Sequence, residues 1–110
     1  MSSIKSSPPR AAAIRDLRRI PGVGPRIAQN FWRLGFGSVK DLKGADPEKL
    51  YDRLCALEKT KVDPCALYVF RGAVYFATRK NPRPDLLLWW NWKDRTFKRG
   101  RITQPPNSTK

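Results

Sequence analysis

Histidine is absent from this 110-residue chain, and cysteine occurs twice, methionine once and acidic residues only nine times. Each shortage removes a kind of chemistry. Without imidazole there is no ordinary general acid–base group near neutral pH, no Ser-His-Asp triad and no His-bearing zinc site. Cys55 and Cys65 alone make no disulfide framework, and they suit a reducing compartment. The few carboxylates form no cluster that would hold two catalytic metals. Asp46 and Asp63 precede prolines at helix starts, and Asp41 follows Ser38 by three residues, so these acids read as caps. The expectation is a protein that is not an enzyme and has no metal site and no small-molecule substrate. No apolar run approaches the ~18–20 residues of a membrane helix, and the first ten residues lack an export-type apolar segment. A cytoplasmic, nucleoid-associated location without membrane contact is expected.

Positive charge is what the chain has in excess. Lys and Arg number 23, the formal net charge is +14 and the pI is about 10.6. Residues 1–24 carry +4 and residues 93–110 carry +5, so the ends are the most basic parts. Such a chain repels its own copies and attracts polyanions, of which nucleic acid is the commonest for a small basic protein. Its length suits one domain, and 40% apolar content including 12 aromatic residues supplies a core.

Periodicity and punctuation predict an all-α domain over residues 10–94. It is preceded by a disordered basic arm (1–9) and followed by a basic, disordered tail (95–110) in which only Phe97 and Ile102 are large and apolar. Ile14 and Leu17 mark a first helix. Pro25 opens a second, with Ile27, Ala28, Phe31 and Leu34 as its buried stripe, and Gly35 ends it with Phe36 closing over Phe31. Ser38 is expected to cap a short helix that Gly44 ends. Asp46-Pro47 starts the next, with Leu50, Leu54 and Leu57 inward as far as about Glu58. Asp63-Pro64 starts a nearly all-apolar helix to about Arg79, which belongs at the centre of the domain. After the rigid turn Asn81 to Pro84, Asp85 to Trp92 reads as a terminal helix that turns Trp89 and Trp92 to the core and Trp90 outward. No strand is predicted.

Ile20-Pro21-Gly22-Val23-Gly24-Pro25-Arg26-Ile27, between two short helices, carries the strongest functional signal. Glycines permit a tight turn and close approach. Unsatisfied amides at the following helix N-terminus form an anion site, aided by the helix dipole. Pro25 has no N–H, so Gly22, Val23, Gly24, Arg26 and Ile27 are the candidate donors, with Arg18 and Arg19 beside them. A backbone phosphate fits this arrangement, and such contacts position a protein without reading sequence.

From Leu17 to Leu54 the chain resembles the helix-hairpin-helix motif of DNA-repair and recombination proteins, its Pro21-Gly22-Val23-Gly24 matching the hairpin. Ile14 to Asp94 is similar to the pathogenicity-locus (Cdd) family of small bacterial proteins, some called mitomycin-resistance proteins. The shared segments are the hairpin, Leu54-Cys55-Ala56-Leu57, Val62-Asp63-Pro64-Cys65, Tyr68-Val69-Phe70-Arg71 and Trp89-Trp90-Asn91-Trp92-Lys93-Asp94. The first half also looks like the C-terminal domain of TfoX-type competence regulators. The resemblance implies a paired motif whose second hairpin, Lys59 to Pro64, lacks the Gly-x-Gly, leaving Lys59 and Lys61 to reach phosphate through their side chains. It also allows a monovalent cation at the hairpin carbonyls. The expected function is sequence-independent binding of duplex or branched DNA in repair, recombination or competence. The alternative is a protein-interaction module with a structural hairpin, for which Trp90 and Lys93 form the candidate contact surface.

Overall fold

The structure, a computed structural model, describes residues 9–93, 95–98 and 101–103. Most lie in four helices: α1 (Arg10–Leu17), α2 (Pro25–Arg33), α3 (Pro47–Glu58) and α4 (Pro64–Thr78). Short 3-10 turns occupy Val39–Leu42, Pro84–Leu87 and Trp89–Trp92. A small antiparallel ribbon pairs β1 (Thr96–Lys98) with β2 (Arg101–Thr103), Phe97 opposite Ile102. The class is all-α, with this ribbon packed against α4 through β1. The arm at 1–8 and the tail from 104 onward lie outside the described residues, as does Asp94.

Helix boundaries follow the local chemistry. The Asp46 carboxylate accepts from the amides of Glu48 (3.0 Å) and Lys49 (3.4 Å), and Asp63 accepts from Cys65 (2.9 Å), each ahead of a proline at the first helical position. At the end of α2, Gly35 takes φ +101°. The Phe36 amide donates to Phe31 C=O and the Gly35 amide to Trp32 C=O, while the Phe31 and Phe36 rings meet edge-to-face at 6.3 Å. This is the Schellman end that the sequence implies.

α4 is the centre. α3, the three 3-10 turns and β1 all pack on it, and Phe70, Val74 and Tyr75 are essentially sealed from solvent. Phe70 meets Phe31 of α2 at 4.9 Å between ring centroids. On the other side Tyr75, Trp92 and Phe97 form an aromatic triangle with centroids 5.3 to 6.4 Å apart. An ionic tie reinforces that side. Glu48 Oε2 accepts from Arg71 Nε (2.8 Å) and from Thr96 Oγ1 (2.7 Å), and Arg71 also donates to Trp92 C=O (2.7 Å).

Four expectations are corrected. Residues 95–98 and 101–103 are not a tail outside the domain: two strands pair there where none is predicted, and Phe97, 1% exposed, completes the core and draws the ribbon into the fold. Asp85 to Trp92 forms two 3-10 turns rather than one helix, because Leu88 takes an extended conformation between them (φ −91°, ψ 117°). Ser38 makes no capping bond. The Val39 amide instead donates to Asp16 of α1 (2.7 Å), while Asp41 accepts from Gly37 (2.9 Å). Leu57 is 43% exposed. The buried face of α3 centres on Pro47, Leu50, Tyr51 and Leu54, and Leu57 lies roughly 70° around the helix from it, on the last turn.

Candidate nucleic-acid interface

The turn between α1 and α2 is built by backbone bonds. Arg19 N–H donates to Asp16 C=O, Ile20 N–H to Leu17 C=O and Val23 N–H to Ile20 C=O (3.0 Å), with Gly22 in the left-handed region at φ +87°. Val23 is therefore removed from the candidate donors. Its amide is spent inside the turn, and its side chain, 5% exposed, belongs to the core. The amides of Gly22, Gly24, Arg26 and Ile27 have no acceptor among the described residues. The last three sit at the N-terminus of α2, where the helix dipole favours an anion. Arg26, at the second helical position, is exposed.

The flanking arginines do not all face one way. Arg18 and Arg19 are exposed and line a shallow groove along α1 with Ala11, Ile14 and Arg15. Arg19 also reaches the Asp16 carboxylate at 2.8 Å. The Val39 amide, and then Arg19, hold the Asp16 carboxyl below its ordinary range.

The second turn is a different device. α3 ends with Lys59 in the left-handed conformation (φ 58°), its amide donating to Ala56 C=O and that of Thr60 to Cys55 C=O. The Val62 amide donates to Cys55 Sγ (3.4 Å), the Tyr51 hydroxyl to Val62 C=O, and the Ala66 amide to Asp63 C=O (2.9 Å). Its amides are thus largely spent within the chain, and no cradle forms. Lys59 and Lys61 both present exposed side chains, so any contact they make is through the ammonium groups.

A cleft of about 750 Å³ lies between α2 and the second turn. Arg26, Ile27, Asn30 and Arg33 of α2 form one wall, and Thr60, Val62 and Asp63 of the second turn form another, with Ala66 and Val69 of α4 and the Trp89 ring completing it. Trp89 also backs the first turn, since a β-carbon on Gly22 would lie 3.6 Å from its Cδ1. Nothing in the sequence signals that contact across 67 positions. Trp90 meets Trp89 edge-to-face at 5.6 Å and is 54% exposed, and Lys93 is exposed too. At the cleft mouth the adjacent Asp63 carboxylate pushes the Cys65 thiol above its ordinary pKa. Among the described residues no helix is long and apolar enough to cross a membrane.

Comparison with known proteins agrees with the resemblance to the pathogenicity-locus family. A mitomycin resistance protein, McrB, of Streptomyces lavendulae is 34% identical over 77 residues, which cover 70% of this chain and 70% of the relative. No solved structure matches the chain. The family model described as pathogenicity locus matches residues 10–98, taking in all four helices, the cleft and Phe97. The chain belongs to the pathogenicity-locus (Cdd1) family.

Proposed function

We propose that the protein binds DNA through the phosphate backbone, without sequence preference, by a helix-hairpin-helix formed from α1, the Ile20 to Gly24 turn and α2. The observation that carries this reading is the set of unpartnered amides at Gly22, Gly24, Arg26 and Ile27, with the exposed Arg26 guanidinium among them. Four amides without an acceptor among the described residues, three of them at the start of α2, together with one full positive charge suit a phosphate. The net charge of +14 supplies long-range attraction to a polyanion. Arg18, Arg19, Lys59 and Lys61 add electrostatic grip on either side of the hairpin, and duplex or branched DNA is the partner.

A titration of random-sequence duplex against salt tests the reading. Affinity should fall by orders of magnitude between about 50 and 200 mM salt if several phosphates are contacted. Arg26→Glu, on an exposed position, should weaken binding at every salt concentration while leaving the circular dichroism spectrum unchanged. Binding that ignores Arg26→Glu would place the grip elsewhere on the surface.

The exposed Trp90 and Leu88 favour a second reading, a protein-interaction module in which the hairpin is structural. Apolar docking is distinguished by weak salt dependence. Trp90→Ala would then abolish partner capture and leave DNA affinity unchanged.

A further inference from the structure

The cleft between α2 and the second turn differs in charge from the rest of the molecule. The chain is strongly basic, yet the ionic side chains lining the cleft are two of each sign, Arg26 and Arg33 against Glu58 and Asp63. Arg33 and Glu58 are joined at 2.6 Å, and the Cys65 amide holds the Asp63 carboxyl below its ordinary range, so Asp63 is ionised at neutral pH. An anion gains little from so balanced a lining, and a cation gains no more. The remaining surface is largely apolar, with Leu54, Val62, Val69 and Trp89, and includes the neutral amides of Gln29 and of Asn30, whose Oδ1 accepts from Arg33 Nη1 at 3.3 Å and whose NH2 is the group offered to a ligand. Its volume, about 750 Å³, falls within the range of clefts that take small organic molecules, and an apolar lining with a few polar groups is their usual character.

We propose that this cleft binds a neutral planar heterocycle, packed against Trp89, with its polar edge bonded by the amides of Gln29 and Asn30. Two sources supply that chemistry. One is an unpaired base of a strand held at the first turn, which rests on the DNA-binding reading because Arg26 and Ile27 of α2 belong to both the proposed phosphate site and the cleft wall. The other is a free nucleoside-like molecule, which does not rest on it.

The test follows 2-aminopurine fluorescence, excited beyond tryptophan absorption, with two probes. The first is free 2-aminopurine riboside. The second is a duplex carrying one unpaired 2-aminopurine, compared with the fully paired duplex of the same sequence. The expected result is saturable quenching of the riboside, or binding of the unpaired-base duplex at least about tenfold tighter than the paired one, as stacking on an aromatic side chain gives. Ala66→Phe fills the cleft from α4, and Thr60→Trp narrows it from the exposed second turn without touching the core. A response lost in either variant, with melting temperature retained, supports the site. No riboside response together with equal affinity for both duplexes overturns the inference and leaves the DNA reading standing. A riboside response without binding of any DNA supports the free source and overturns the DNA reading. A response intact in both filled variants overturns the cleft.

Discussion

A β-carbon added to Gly72 would lie 3.2 Å from both Cδ1 and Nε1 of Trp92, so the indole occupies the room that this glycine leaves in the face of α4. The indole is held there. It is wholly buried, its Nε1–H donates to Leu86 C=O at 2.7 Å, and the Tyr75 and Phe97 rings wall it in. A glycine in mid-helix ordinarily costs about 1 kcal/mol against alanine, and here the packed indole is what that cost supports.

Gly72→Ala should therefore destabilise the protein although alanine is the better helix former. Overpacking costs about 1–3 kcal/mol against the propensity gain of about 1 kcal/mol. A net loss of about 1 kcal/mol, read as a melting temperature lower by about 4–8 °C, is the expected outcome in thermal denaturation. A rise would mean that the indole can withdraw.

Phe97→Ala tests whether the ribbon belongs to the core. A buried phenylalanine truncated to alanine costs about 3–5 kcal/mol, whereas the same change in a solvated tail costs nothing measurable. Urea denaturation of the full chain should show the large loss.

Asp16→Ala should remove the bond that joins α1 to the Val39 turn, a loss of about 1 kcal/mol near pH 7. The folded-state pKa of Asp16 lies below its unfolded value. Its contribution is thus present above the unfolded pKa, near 4, and fades as pH falls through the folded one. The gap between parent and variant in urea midpoints should be full at neutral pH and narrow progressively below about pH 4.

Lys59→Gly separates stability from binding at one position. The left-handed conformation at φ 58° strains a side-chain-bearing residue and suits glycine, so the fold should gain up to about 1 kcal/mol. If Lys59 touches phosphate, DNA affinity should fall nonetheless, and the salt slope should decrease by about one. Melting and titration of the same sample read both effects.

Asp63→Asn should speed alkylation of Cys65. The carboxylate holds the thiol above its ordinary pKa, which lowers the thiolate fraction at a given pH. Asparagine keeps an acceptor for the Cys65 amide but removes the charge. The alkylation rate profile, measured in a Cys55→Ser background, should shift to lower pH.

The sequence was most legible where a single residue type dictates backbone geometry. Asp46-Pro47, Asp63-Pro64, Pro25 and Gly35 mark their boundaries because caps, proline and left-handed glycine act locally. The first turn follows for the same reason. What escaped depends on contacts between distant segments. Ser38 has the chemistry of a cap, but Asp16 reaches its place from another helix. Phe97 sits in a stretch that is basic on composition and enters the core only because Tyr75 and Trp92 leave an aromatic gap there. Of the site, the donor amides could be read from Gly22-Val23-Gly24-Pro25. The loss of Val23 required knowing the turn's internal bond, and the cleft, assembled from five segments of chain, left no trace in any one of them.

The tie from Glu48 to Thr96 also orders events in time. Chains emerge N-terminus first during synthesis, so α1 to α4 leave the ribosome before Trp92 and Phe97 do. Until then the hollow beside Gly72 lacks the indole that fills it, and Glu48 and Arg71 lack their bonds to Thr96 and Trp92. The four helices are expected to collapse early into a loosely packed state, and the arrival of eleven residues, Trp92 through Ile102, converts it to the final one. Defects in that short stretch should therefore show first as poor yield of folded protein rather than as altered binding.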